Sequence, residues 1–102
     1  QHSMKIYISG KITGDSGYIE KFKEAEKKIR QQYKGCEVIN PAVILQTMPE
    51  STTHEEYMMI SLCLLDMCDS IYLLPDWKES KGAKFEFCWA SNRGYKLMGC
   101  FL

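Results

Sequence analysis

The chain predicts an open α/β fold, a three-layer sandwich around a four-stranded parallel sheet with strand order 2-1-3-4. Three observations predict it. Short β-rich runs alternate with helix-period runs in the order β-α-β-α-β-α-β. The apolar run Ile71-Tyr72-Leu73-Leu74 reads as a buried strand and leads into an amphipathic helix. Glycine and proline close the elements in turn. Right-handed crossovers then place the switch point between strands one and three. The loops that follow those two strands face each other across one crevice, the usual ligand site of such sheets.

The elements follow in order. Residues 4–9 alternate, are β-rich and form strand one. Residues 10–17, Gly-Lys-Ile-Thr-Gly-Asp-Ser-Gly, are a glycine-punctuated loop. Residues 18–33 form a helix marked by Ile19, Phe22, Ala25 and Ile29, with Lys and Glu on a solvated face and Gly35 as its stop. Residues 37–40 give a short second strand, stopped by Pro41. Residues 41–51 read as a loop that can hold one helical turn at 42–46. Thr52 with Glu55, and Thr53 with Glu56, are overlapping capping boxes for a helix over 53–68. That helix is apolar on more than one face. Either a second copy of the chain covers the extra face, making a homo-oligomer, or the monomer sandwiches it; 102 residues favour the first. Strand three is 71–74, the last helix 81–92 ends at Gly94, and strand four is 95–102.

Length and charge narrow the classes. One domain over residues 4–102 is expected, with Gln1-His2-Ser3 as the remnant of an expression tag. Thirteen basic and thirteen acidic residues cancel, against the basic excess of a nucleic-acid polymer binder. No apolar run reaches the roughly 18 residues of a membrane helix, and no signal peptide is visible. The five cysteines, Cys36, Cys63, Cys68, Cys88 and Cys100, lie in apolar stretches without Cys-x-x-Cys spacing. They read as reduced core residues of a cytoplasmic protein. No metal and no cofactor is expected: ligand spacing is absent and His54 is the only histidine outside the tag.

The residues that can carry chemistry cluster at the crevice. Glu86 sits among Phe85, Phe87, Cys88 and Trp89, just behind the turn Ser80-Lys81-Gly82-Ala83. The helix N-terminus is expected to keep its carboxylate ionised, as a nucleophile requires. Ser80 is the natural N-cap, and it can also contact a phosphate or hydroxyl. Gly82 lets a ligand approach the backbone. The 10–17 loop can hold a phosphate on its amides, helped by Lys11 and Thr13, although it is neither a P-loop nor a dinucleotide fingerprint. Tyr7 and Ser9 end strand one near the crevice; Tyr7 is either a site residue or a plain strand aromatic. Asp76 and Trp77 lie in the loop before Ser80. Trp77 either stacks on a flat ring or caps the edge of the core. Asp69 terminates a helix.

Ile6-Tyr7-Ile8-Ser9-Gly10, Cys68-Asp69-Ser70-Ile71-Tyr72-Leu73-Leu74 and Ser80-Lys81-Gly82-Ala83-x-x-Glu86 together resemble the nucleoside 2-deoxyribosyltransferase superfamily. Asn40-Pro41-Ala42 and Leu74-Pro75-Asp76-Trp77 resemble, within it, a small domain of unknown function common in phages and bacteria and related to 2'-deoxynucleoside 5'-phosphate N-hydrolase. The resemblance implies a flavodoxin-like fold, homo-oligomers, and cleavage of an N-glycosidic bond. It implies Glu86 as nucleophile, assisted by Tyr7. It implies that the 10–14 loop, with Gly10, Lys11 and Thr13, touches sugar and phosphate and that Ser80 binds phosphate; by their place at the crevice Ser9, Asp76, Trp77 and Gly82 complete the candidate set around a nucleotide or nucleoside. Ser80, six residues before Glu86, matches the branch acting on 5'-monophosphates, where nucleoside transferases carry an aspartate. One position departs: Ser61, eight residues before Asp69, stands where the enzymes carry a catalytic aspartate, and Asp66 points elsewhere. The leading expectation is hydrolysis or deoxyribosyl transfer on a (deoxy)nucleoside 5'-monophosphate. The alternatives are a non-catalytic nucleotide-binding module, sensing or sequestering a nucleotide, and a structural interaction protein built on the Met-rich helix.

Overall fold

The structure, a computed structural model, describes residues 3–102. Of the residues read as a tag remnant, Gln1 and His2 lie outside the described residues. The elements are β1 (Lys5–Ser9), α1 (Tyr18–Gln32), β2 (Glu37–Ile39), α2 (Pro41–Leu45), α3 (His54–Asp66), β3 (Ser70–Leu73), a 3-10 turn (Trp77–Glu79), α4 (Lys81–Asn92) and β4 (Lys96–Gly99). The four strands are all parallel, in the order β2-β1-β3-β4. This is the expected flavodoxin-like α/β arrangement.

Strand alternation divides the core in two. Ile6 and Ile8 turn to one face of β1 and pack with Phe22, Ala25 and Ile29 of α1 and with Ala42. Tyr7 turns to the other face, among Ile71 and Leu73 of β3, Leu65 of α3, and Ala83 and Ala90 of α4. Period-2 alternation puts Ser9 on Tyr7's face, with the buried end of β1 beneath α3 and α4. Register sets Tyr7 beside Ile71 and Ser9 beside Leu73, so both strands end at the same level.

The helix ends follow capping chemistry. Asn40 caps α2 through its side chain, with Pro41 at the first position. Thr53 and Glu56 form the complete capping box of α3; of the two overlapping patterns the second is used. Gly94 takes φ 75° just past α4, where a side chain would be strained.

Four expectations need correction. α3 stops at Asp66 rather than 68, because Met67 is its C-cap and Cys68 turns into the core. β4 covers only Lys96–Gly99, the span that pairs with β3. The helical turn allowed at 42–46 within the 41–51 loop is present but sits one residue earlier, as α2 over Pro41–Leu45. The cysteines are not all core residues: Cys68 is buried and Cys36 half-buried, whereas Cys63, Cys88 and Cys100 are exposed. Helical spacing puts Cys63 and Cys88 on the outward faces of α3 and α4. All five are free thiols. No helix is long and apolar enough to cross a membrane among the described residues.

Candidate functional site

Glu86 occupies a core position. On α4 the buried residues are Ala83, Glu86 and Ala90, a stripe spaced three and four apart that faces the sheet. Small alanines on either side let the helix sit close, so the carboxylate reaches down onto β1. Tyr7 Oη donates to one carboxylate oxygen at 2.8 Å and Ser9 Oγ to the other at 2.7 Å. Glu86 is only 6% exposed and makes no ion pair among the described residues.

Its electrostatics differ from the expectation of a fully ionised group at a helix N-terminus. Burial pushes the carboxyl up to about 7, and the Ser9 and Tyr7 hydrogen bonds only partly oppose it. Glu86 lies in the second turn of α4, too far in for the dipole to prevail. Tyr7 is raised well above its ordinary value, first by burial and then by the adjacent Glu86. It therefore stays a protonated donor.

Above Glu86 opens a cavity of about 670 Å³. Tyr7, Gly10, Lys11 and Thr13 line it from the β1 side, and Ser80, Lys81 and Gly82 from the α4 side. Ser61 of α3 lines it as well, 5% exposed, with its hydroxyl against the Tyr7 phenol. The far wall comes from Tyr18, Phe22, Leu45, Met48, His54 and Tyr57. The expected crevice between the β1 and β3 loops is therefore present, and it extends under α2 and α3.

The polar rim has free donors. Ser80 Oγ accepts the Ala83 N–H at 3.1 Å as the N-cap. Its own hydroxyl proton stays available, so capping does not preclude a ligand contact. The Lys81 and Gly82 N–H groups make no hydrogen bond among the described residues, nor do those of Ile12 and Thr13. The Lys11 N–H is engaged, donating to Asp76 at 3.1 Å. The Lys11 ammonium stands 3.8 Å from Glu79.

Two glycines have packing reasons. A Cβ on Gly10 would lie 2.6 Å from Leu74 Cδ1, so β1 can meet β3's exit only without a side chain there. A Cβ on Gly82 would crowd Met58 Sδ at 3.2 Å.

Three expected ligand contacts are corrected. Trp77 is 6% exposed, packs on Phe87 at 4.7 Å between ring centroids, and donates from Nε1 to the Cys100 carbonyl at 2.6 Å. It caps the core edge and does not line the cavity. Asp76 also lies outside the lining; it accepts from the Lys11 N–H and from Lys21 Nζ. Ser9 is spent on Glu86 and touches no open space. Asp69 joins strands rather than the site, accepting from the Lys5 N–H. Asp66 faces Arg93 at 3.4 Å, away from the cavity.

The residues missed from the sequence are those of the far wall. His54 and Tyr57, three apart at the start of α3, share a face toward the cavity. The capping box fixes where α3 starts, which was a usable signal for that face. Tyr18 and Phe22, four apart on α1, likewise share a face toward the cavity. No group of three or more His, Cys, Asp or Glu suited to holding a metal occurs among the described residues.

A family model described as a domain of unknown function (DUF4406) matches residues 4–99. No curated protein matches the chain.

Proposed function

The chain belongs to the DUF4406 family, a domain of unknown function, and we propose that this member cleaves the N-glycosidic bond of a (deoxy)nucleoside 5'-monophosphate through Glu86. The likeness of its motifs to the nucleoside 2-deoxyribosyltransferase superfamily supports this reading. The observation that carries it is the buried carboxylate on the cavity floor, with each oxygen held by a hydroxyl. A buried, unpaired glutamate is costly to a fold and is found where chemistry uses it.

In this reading the sugar lies over Glu86. A carboxylate oxygen attacks C1', and the C1'–N bond breaks with its electron pair going to the base. The base takes a proton from an acid on the far wall or from solvent. Water then attacks C1' of the glycosyl ester, releasing the sugar phosphate and regenerating the carboxylate; another nucleobase at that step gives transfer. Tyr7 and Ser9 hold the carboxylate in its attacking orientation and share its charge. The phosphate lies between residues 10–13 and the α4 N-terminus, where the Lys81 and Gly82 amides and the Ser80 hydroxyl can donate. The Lys11 and Lys81 ammonium groups add charge at the same rim.

One observation favours a second reading. Ser61 brings a hydroxyl, not an acid, to the cavity beside Tyr7. Two-carboxylate glycosidases rely on the second group. A nucleotide-binding module without turnover keeps the same pocket and needs no acid. Two copies associating through the outer face of α3 is part of the proposal in either case.

Incubation with a panel of 2'-deoxynucleoside and nucleoside 5'-monophosphates and free nucleosides, with free base read by chromatography, separates the readings. Base release from a monophosphate, reduced at least a hundredfold in Glu86→Gln, is expected. Tight nucleotide binding without release, unchanged in Glu86→Gln, supports the binding module instead.

A further inference from the structure

Lys21, in the second turn of α1, does not line the cavity, yet its ammonium is the most heavily engaged cation among the described residues. It donates to the Asp15 carboxylate, to the Lys11 carbonyl at 2.7 Å and to Asp76 Oδ2 at 2.6 Å. All three of its N–H donors are thereby used. The partners are themselves cross-linked. Asp76 Oδ1 accepts the Lys11 N–H at 3.1 Å, and Asp15 Oδ1 accepts the Gly17 N–H at 2.9 Å.

The topology of these bonds is informative. Asp15 and Lys11 belong to the loop after β1; Asp76 belongs to the loop after β3. One ammonium therefore fastens the two loops that flank the switch point. The first carries Gly10, Lys11 and Thr13 of the cavity rim, and the second leads directly into Ser80, Lys81 and Gly82 of the opposite rim. The ion pairs are only a quarter exposed or thereabouts, and so are screened less than surface pairs. Partial burial works against the Lys21 charge, but Asp15 and Asp76 outweigh it and raise its pKa. Hydrogen bonds from Lys21 and Gly17 hold Asp15 low. Lys21 and Asp15 are therefore both charged at neutral pH.

We propose that Lys21 is a positioning residue that sets the spacing of the two loops and thereby the affinity for a substrate's phosphate. This rests on the nucleotide reading of the cavity. Lys21 touches neither Glu86 nor its two donors, so the bond-breaking step is not its concern. Releasing it frees the 10–17 loop and leaves the carboxylate in place.

The test uses the full chain and the monophosphate of the panel that is turned over fastest or, where none is turned over, the one bound most tightly, with Kd by calorimetry read in place of KM. Lys21→Met is expected to raise KM roughly tenfold with kcat within about twofold, since misplacing a binding group costs affinity. Amide hydrogen exchange over residues 10–17 is expected to quicken, with exchange in β1 and α4 unchanged. Asp76→Asn, which retains an acceptor for the Lys11 N–H but removes the charge, is expected to act in the same direction and serves if Lys21→Met does not fold. An unchanged KM in a folded variant, or a fall in kcat as large as the rise in KM, overturns the clasp while leaving the nucleotide reading intact. If the unaltered protein neither binds nor cleaves any monophosphate, the nucleotide reading itself falls and the clasp's role with it.

Discussion

Glu86 is where a single residue sets a measurable property of the whole. Its folded pKa, about 7, lies above the ordinary value of 4.5 because burial disfavours the charge. Between those two pH values the folded protein binds more protons than the unfolded chain. Stability contributed by protonated Glu86 is full below about pH 4.5 and is lost as pH rises through about 7. The loss above pH 7 is roughly 3 kcal/mol, by the usual conversion of pKa shift to free energy. Glu86→Gln removes the charge, and the Tyr7 and Ser9 hydroxyls can turn to suit an amide. Thermal unfolding between pH 5 and 8 is therefore expected to show a Tm decline in the natural chain that the variant lacks, with the variant the more stable at pH 8. Matching declines in both would remove Glu86 as the cause. The same ionisation predicts kcat/KM rising to a plateau above about pH 7, since the attacking form is the anion. A rate that peaks near pH 5 would be incompatible with a glutamate nucleophile.

At the scale of the element, α4 combines two roles at its first turn. Ser80 caps the helix through the Ala83 N–H, and the free amides beside it face the rim of the cavity. Substitution separates the roles. Ser80→Ala loses the cap, at about 1 kcal/mol. Ser80→Asp keeps a cap of equal quality and suits the helix dipole, yet sets a negative charge where the phosphate is proposed to lie. Calorimetric titration is expected to show nucleotide affinity down more than about tenfold in Ser80→Asp, with Tm at or above that of the natural chain. Retained affinity would move the phosphate elsewhere. Much of this element was legible in advance: the cap and both ends of α4 follow from local pattern, and the switch point sets its start beside the loop after β1, whereas the pairing of Tyr7 with Glu86 rested on the resemblance. What was illegible depended on partners distant in sequence. Local sequence leaves Trp77 open between stacking on a ligand and capping the core edge, and the Cys100 carbonyl, 23 residues on, decides for the cap by taking its N–H. Asp76 looked like a ligand contact, but Lys21, 55 residues away, claims it. The ionisation of Glu86 is illegible in the sequence for a related reason: its depth under α4 is a tertiary quantity, and it outweighs the helix end that the sequence displays.

At the scale of the molecule, the unfinished feature is the outer face of α3. Met59, Cys63 and Met67, four residues apart in succession, stand exposed along one side, with Met59 at 69%. Phe85 and Cys88 of the neighbouring α4 are exposed too. The inner side of α3 already serves the core through Leu65 and the cavity through Ser61. The apolar excess of this helix is thus divided between two surfaces, and only one is covered within the chain. A chain of 102 residues gains proportionally from covering the other, because small domains bury little surface by themselves. With formal charge balanced, no long-range repulsion opposes the approach of a second copy. A two-fold pairing of this face is self-complementary and closes at two subunits. Sedimentation equilibrium is expected to give twice the 11.8 kDa chain mass for the natural protein. Met59→Glu places like charges opposite each other near the pairing axis and is expected to return the mass to that of one chain, with the far-ultraviolet spectrum unchanged. A natural protein that sediments as one chain at tens of micromolar would leave the α3 face without this partner.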